Sequence, residues 1–338
     1  KLHWRMSMNL TEASIQEQQD QCQPKMQQVQ QDRTAAIAYL EISLQRATET
    51  ASAHSSSEQF FEYINLNLSL ALELTATRQP QFLKRAKELT QTVAIALQAN
   101  AEDANMSAFG QLTARWQYVQ AVLALESGNT QDVLPYLESA FQGYLDCSLD
   151  IAAVHDIFGY YYLRTNDFGE ALFNFERSLK IRMQTNQGAG IGKSYANLGE
   201  WYLIIAEIGQ AGQLFQNALD LSLTVGDHHL RLQALSGLAK VAIAESRYAD
   251  AIAMIEDVIS QLQEPVYAID LGYWYCDLSE ALLGVGKVEE SLILSSSINW
   301  KIIVVVNILV IEPILYFVIG KAGFFSLSEI RLNPIALV

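Results

Sequence analysis

Phe158-Gly-Tyr-Tyr-Tyr-Leu-Arg-Thr-Asn-Asp-Phe-Gly-Glu-Ala-Leu-Phe-Asn-Phe-Glu-Arg-Ser178 recurs forty residues later as Leu198-Gly-Glu-Trp-Tyr-Leu-Ile-Ile-Ala-Glu-Ile-Gly-Gln-Ala-Gly-Gln-Leu-Phe-Gln-Asn-Ala218. In both stretches a bulky residue and a glycine are followed by Tyr162 or Tyr202. Then come Ala171, Phe175 and Ser178, or Ala211, Phe215 and Ala218. After another forty residues the same slots hold Leu238-Ala239, Ala242, Ala251, Ile255 and Val258, and after a further forty Leu278-Ser279, Leu282 and Ser291. A fixed period of this size, with small residues where helices touch and large apolar ones between, predicts helical hairpins stacked into a solenoid. Gly159 and Ala171, like Gly199 and Ala211, fall on opposite arms of one hairpin and are expected to face each other, so that the backbones approach closely. Tyr162 and Phe175 then fill the space the crossing leaves. Each hairpin's remaining apolar stripe needs a neighbour to cover it, so one hairpin alone does not fold.

Upstream, Gly128-Asn-Thr-Gln-Asp-Val-Leu-Pro-Tyr-Leu137 aligns with Asn166-Asp-Phe-Gly-Glu-Ala-Leu-Phe-Asn-Phe175 at an offset of 38, placing Ala121, Ala124, Val133, Leu137 and Ala140 on repeat slots. Residues 60–76 and 81–97 read as another hairpin, broken at Arg78-Gln-Pro80, and residues 33–50 as one more amphipathic helix. Half the residues are apolar and only six of 338 are proline. Ala, Leu, Gln and Glu, all good helix formers, dominate. A single all-α architecture therefore accounts for residues 33–292.

The two ends differ from this middle. Residues 1–32 are rich in Gln with little apolar periodicity, which predicts a solvated, disordered lead-in without a secretory signal. The chain starts at Lys1 rather than Met, as expected of a fragment or of a protein whose start is Met6 or Met8. Residues 293–338 carry only Lys301, Glu312, Lys321, Glu329 and Arg331, a net of +1, against −16 for the rest of a chain of net −15. Within them Ile302 to Gly320 is long and apolar enough to span a bilayer, although Asn307, Glu312 and Pro313 fall mid-span. Three readings of this tail stand: a transmembrane helix, a buried cap, or a frameshifted or truncated end that interrupts the last hairpin after Leu294.

The repeat resembles the tetratricopeptide repeat. Tyr195, Leu198-Gly199, Tyr202, Ala211, Phe215 and Ala218 meet that family's pattern, and His155, Phe158-Gly159, Tyr162, Ala171, Phe175 and Ser178 meet it nearly as well. The forty-residue period is similar to the long form found in kinesin light chains and in bacterial regulators related to the maltose-regulon activator, as is Thr224-Val-Gly-Asp227 before the next helix. The later copies depart from it, with Ala239 and Ser279 at the glycine slot and Ile255 and Ser295 at the second aromatic slot. The resemblance implies a right-handed superhelical solenoid of antiparallel helix hairpins, whose first helices line a concave surface.

Catalytic chemistry finds little footing. Gln187-Gly-Ala-Gly-Ile-Gly-Lys-Ser194 ends like a phosphate-binding loop, but it lacks the first glycine and follows a helix end instead of a strand. It is read as an inter-repeat turn that leaves Lys193 in the groove. His228 and His229 are adjacent, so on a helix they diverge by about 100° and cannot chelate as an i, i+4 pair. His3, His54 and His155 are isolated, and Cys22, Cys147 and Cys276 are too far apart to suggest more than free thiols in a reducing compartment. No catalytic residue, metal or cofactor is expected, and a net charge of −15 argues against nucleic acid.

Carried onto this chain, the family's concave positions hold Arg115, Tyr118 and Glu126, then Asp156, Tyr160 and Arg164, then Lys193 and Glu200, then Gln233 and Lys240, then Tyr273 and Glu280. Aromatic and Arg anchors among acids suit an extended or helical peptide. Chaperone-tail-binding relatives use Lys and Asn to clamp a terminal carboxylate, whereas the comparable places here hold Asp156, Tyr160, Ala196 and Glu200, which disfavours that activity. The expected function is a cytoplasmic, non-catalytic scaffold binding a protein or peptide. Two alternatives are the regulatory part of a bacterial signalling protein whose output domain is missing (a nucleotide or diguanylate cyclase, a kinase or a transcription regulator) and an assembly factor anchored to a membrane through 302–320.

Overall fold

Every described element is an α-helix, and the helices follow one another as antiparallel hairpins. The computed structural model describes residues 33–50, 57–100, 106–146, 151–261 and 268–297. In order these form α1 (Arg33–Thr50), α2 (Ser57–Ala76), α3 (Pro80–Ala99), α4 (Met106–Glu126), α5 (Thr130–Asp146), α6 (Ile151–Arg164), α7 (Phe168–Gln184), α8 (Gly188–Ile204), α9 (Ile208–Val225), α10 (His228–Ala244), α11 (Tyr248–Gln261), α12 (Ala268–Gly284) and α13 (Val288–Ser297). The weak hairpin expected around Arg78-Gln-Pro80 is α2 and α3, with Pro80 in the first turn of α3 where its missing N–H goes unneeded. The Gln-rich stretch and the apolar stretch Ile302 to Gly320 lie outside the described residues. Among the described residues no helix is long and apolar enough to cross a membrane.

The period is written into the backbone as well as the side chains. Gly128, Asn166, Ala206, Ser246 and Gly286 all have positive φ, between 61° and 81°, and each closes a hairpin. At every one the same pair of bonds satisfies the carbonyls at the end of the first helix. Asn166 N–H donates to Leu163 O and Asp167 N–H to Tyr162 O, while Ala206 N–H donates to Leu203 O and Glu207 N–H to Tyr202 O. This is the left-handed helix end that glycine takes without strain and other residues take at a cost. Ala206 therefore holds a strained conformation at an exposed position. Ala206→Gly is expected to raise the unfolding free energy by about 0.5–1 kcal/mol. A denaturation midpoint that stays put or falls would show that the turn is not under strain.

The chain forms two compact units, Lys1–Ala234 and Leu235–Val338. In the first, Ala171, Phe175, Ala211, Phe215 and Ala218 are fully buried, with Val133, Leu137 and Ala140 in the equivalent places upstream. In the second, Ala239, Ala251, Ile255 and Val258 occupy the same slots and are equally buried.

The glycine slots of the first helices pack against the aromatic slots of the second. Gly159 lies under the ring of Phe175 and Gly199 under that of Phe215, each one turn on from the small slot. A Cβ built at Gly159 would sit 2.4 Å from Phe175 Cε1, and one at Gly199 would sit 2.9 Å from Phe215 Cε1. The large residue of the second helix thus needs the hole that the glycine of the first leaves. In the last hairpin the two small slots themselves meet, the hydroxyls of Ser279 and Ser291 lying 2.7 Å apart.

Candidate functional site

Polar side chains gather on the first helices of the hairpins, α2, α4, α6, α8 and α10, and the innermost of them are buried. Asp156 of α6 is 1% exposed and forms an ion pair with Arg182 of α7, whose Nη2 lies 2.6 Å from its carboxylate. Asn197 Nδ2 donates to the other Asp156 oxygen at 3.1 Å, and Arg182 Nη1 donates to Ser194 Oγ at 2.8 Å. Tyr160 O–H donates to Asn197 Oδ1 at 2.7 Å and so joins the network. Burial first, then the nearby carboxylates Glu200 and Asp156, hold this phenol well above its ordinary range, so it stays a donor. The glycine-rich segment exists to admit Arg182. A Cβ at Gly190 would meet its Cδ at 2.8 Å, and Gly192 leaves comparable room for Leu230. The segment forms the first two turns of α8, entered from α7 through Gln187.

Further out, charges from distant parts of the first unit converge. Arg33 of α1 reaches α10, its Nη2 lying 3.4 Å from His229 Nε2. It also lies 3.8 Å from the carboxylate of Glu73 on α2 and donates to Ala76 O at 3.4 Å. A guanidinium only donates, so His229 Nε2 is the acceptor and the ring is neutral with its proton on Nδ1. Loss of hydration in this crowded corner, then the charges of Arg33, Lys193, His228 and Arg78, push the imidazole down to about 3, although the ring keeps exposed surface. Burial also raises the Glu73 carboxyl, against the pull of Arg33 and Lys193. Beside this corner Arg78 and Arg164 both hold the carboxylate of Glu126, at 3.2 and 3.0 Å. Arg164 also donates to Leu125 O.

The positions carried over from the family are dispersed among these surroundings. Arg115 spans from α4 to α2, donating to Asn65 Oδ1 at 2.6 Å and Ser69 Oγ at 2.8 Å. Tyr118 packs on Tyr144 with ring centroids 5.8 Å apart, within the core of α4 to α6. Asp156 is not at the groove surface, for the reason just given. Tyr160 lies edge-on to Phe175 at 5.4 Å, half-buried, with its hydroxyl on Asn197. Lys193 is exposed, while Glu200 and Gln233 are half-buried on the same run of first helices. In the second unit Lys240 of α10 is exposed and Tyr273 and Glu280 of α12 are half-buried. There Asp277 is raised by burial, partly countered by Lys240 and reinforced by Glu280. Cys276 beside them is pushed up to about 11 by burial and by Asp277, which keeps its thiol protonated and unreactive.

Arg33, Glu73, Arg78 and His229 had no place among the expected positions. Glu73 carried a signal nonetheless: Asn65, Ser69 and Glu73 stand at i, i+4 and i+8, a polar stripe along α2. Arg33 and His229 carried none. Their contact depends on how far nine successive helices turn, which no local pattern encodes.

No family model matches this chain, and no curated protein matches it either. Solved structures do. One is NprR in complex with its cognate peptide NprX, with TM-score 0.60 and 12% identity over 91% of this chain and 86% of that one. A second is a Rap protein complexed with Competence and Sporulation Factor, with TM-score 0.54 and 11% identity over 85% of this chain and 81% of that one. The apo form of RapI aligns with TM-score 0.50 and 11% identity over 88% of this chain and 83% of that one.

Proposed function

We propose that this chain, whose fold is that of the tetratricopeptide-type helical repeats, binds a peptide against the polar wall formed by the first helices of residues 33–234. The observation that carries this function is the contact between Arg33 and His229, at 3.4 Å across 196 residues of sequence. Hairpins that turn far enough to bring α1 onto α10 enclose the row between them. A peptide lying there meets Glu126, Arg164, Lys193, Glu200 and Gln233 at once. Backbone amides of an extended peptide need such donors and acceptors, and a wall fixed by helix packing loses little freedom on binding. The buried Asp156–Arg182 network holds the wall rigid from behind. NprR and a Rap protein, which share the fold, were solved with NprX and with Competence and Sporulation Factor, respectively, and this supports the same kind of partner here.

The full chain, immobilised and exposed to a pool of random hexapeptides, is expected to retain a defined subset identified by mass spectrometry. Replacing both Glu200 and Gln233 by Ala should lower that retention by about tenfold or more, as for anchors at an interface. Glu176→Ala, on the exposed face of α7, should leave it unchanged. Retention indifferent to the Glu200 and Gln233 changes would remove the wall from consideration as the binding surface.

A further inference from the structure

We propose that Arg115, fixed between α4 and α2 by Asn65 and Ser69, is an anion subsite of the wall and receives a carboxylate of the bound peptide. This deepens the peptide-binding function and rests on it.

Arg115 is a cation held in place without a counter-charge. Arg33, Arg78, Arg85, Arg164, Arg182 and Arg247 each stand 2.6–3.8 Å from a carboxylate. Arg115 makes no ion pair with any described residue, although the chain as a whole carries a net charge of −15. Its Nη1 donates to Asn65 Oδ1 at 2.6 Å and its Nη2 to Ser69 Oγ at 2.8 Å, and both acceptors are neutral. The carboxylate on this stripe of α2, Glu73, stands one turn past Ser69 and pairs with Arg33 at 3.8 Å. Burial draws the Arg115 guanidinium down from its ordinary range, the direction expected of a cation without a partner, and Tyr144 and Tyr118 counter it. A brace between two helices needs a donor but no charge, and a half-buried charge held only by neutral groups costs free energy that a neutral donor would not. The charge is therefore left for something outside the chain.

Position and geometry suit that occupant. Eleven residues of helix make three turns to within about 20°, so Arg115 shares a face of α4 with Glu126, which the wall already includes. Each Nη spends one hydrogen on α2. The second hydrogen of each, and the Nε–H, have no partner among the described residues, and the residue is only half-buried. Planar donors of this kind match the two oxygens of a carboxylate, and the bonds to Asn65 and Ser69 fix the guanidinium before the anion arrives, which reduces the freedom lost on binding. A carboxylate brings the one negative charge that this single cation lacks.

The test uses the same full chain and two versions of the random hexapeptide pool, one with free C-terminal carboxylates and one amidated. If the carboxylate is the terminal one, the wild type retains free-acid peptides about tenfold or more over their amides, as expected of one charge-assisted contact. If it comes from a side chain, retention survives amidation and the retained set is enriched in Asp and Glu. The decisive variant is Asn65→Asp, which sets a carboxylate on Arg115 in the shape of the amide it replaces and so fills the subsite from within. It should bring the preference or the enrichment close to parity, and Arg115→Gln should do the same; if the latter does not fold, Asn65→Asp decides alone. Were Arg115 only a brace between helices, Asn65→Asp would leave peptide selection as it was. Selection unchanged in Asn65→Asp, or peptides retained by the wild type with neither preference nor enrichment, overturns the subsite while leaving peptide binding intact. Retention of no peptide at all overturns both.

Discussion

Asp156→Ala is expected to lower the unfolding free energy by about 3–5 kcal/mol, the range for removing one partner of a buried ion pair. Arg182 is 4% exposed, and guanidinium cannot shed its proton to escape the loss of its counter-charge. Its Nε already lacks a hydrogen-bond partner among the described residues. Without Asp156, only the 2.8 Å contact from Nη1 to Ser194 would remain for the charged group. Asn197 would lose the acceptor for its Nδ2, and the effect would pass through Asn197 Oδ1 to Tyr160. The expectation separates two origins of the loss. If it comes from stranding a charge, then Asp156→Ala combined with Arg182→Met should recover most of it, since an apolar pair of similar volume needs no dehydration of ions. Urea titration should show the single variant's midpoint falling at unchanged slope, with the double variant intermediate. A double variant as unstable as the single one would mean that the network's hydrogen bonds, and not its charge balance, hold α6, α7 and α8 together.

This network marks the boundary of what the sequence discloses. Asp156 stands on a family groove position, and position alone placed it on the surface. What buries it is Arg182, 26 residues away on the partner helix, which passes over Gly190. Gly190 and Gly192 were visible, and the helix end before them was expected in place of a strand, as the structure has it. Their packing roles, Gly190 making room for Arg182 of the preceding helix and Gly192 for Leu230 of α10, could be stated only once the helices were in view.

The hairpins themselves were legible because their spacing is local. A left-handed residue at each of Gly128, Asn166, Ala206, Ser246 and Gly286 repeats every 38 to 40 residues, in step with buried apolar slots that any sliding comparison finds. The meeting of Arg33 with His229 was not legible, because it depends on how the four hairpins between α1 and α10 stack. The groove positions fall between these cases. The register of the first helices was readable, but which of their polar residues turn inward depends on partners such as Asn65 and Ser69 for Arg115, or Tyr144 for Tyr118.

Phe175→Ala should be comparably severe, at about 3–5 kcal/mol, because the ring is fully buried and its removal opens a cavity that the helices cannot close. The ring lies against Gly159, edge-on to Tyr160 at 5.4 Å, and within a cluster that includes Ala171, Leu198 and Trp201. Filling the glycine slot from the other side is the complementary fault. Gly159→Leu drives a side chain into a ring that has no room to turn, since even a Cβ there would come within 2.4 Å of Cε1. Overpacking of this kind is worth about 1–3 kcal/mol and is expected at the upper end here. Gly199→Leu should cost less, because the corresponding approach to Phe215 is 2.9 Å. The decisive measurement is the double variant Gly159→Leu with Phe175→Ala, in which the new leucine occupies part of the space the phenyl vacates. Two faults that act on one volume should offset, leaving the pair more stable than the sum of the singles by about 0.5–3 kcal/mol. Strict additivity would mean that the glycine slot and the aromatic slot do not share a space, and the physical basis for the forty-residue pattern would have to be sought in the Ala171 contact instead.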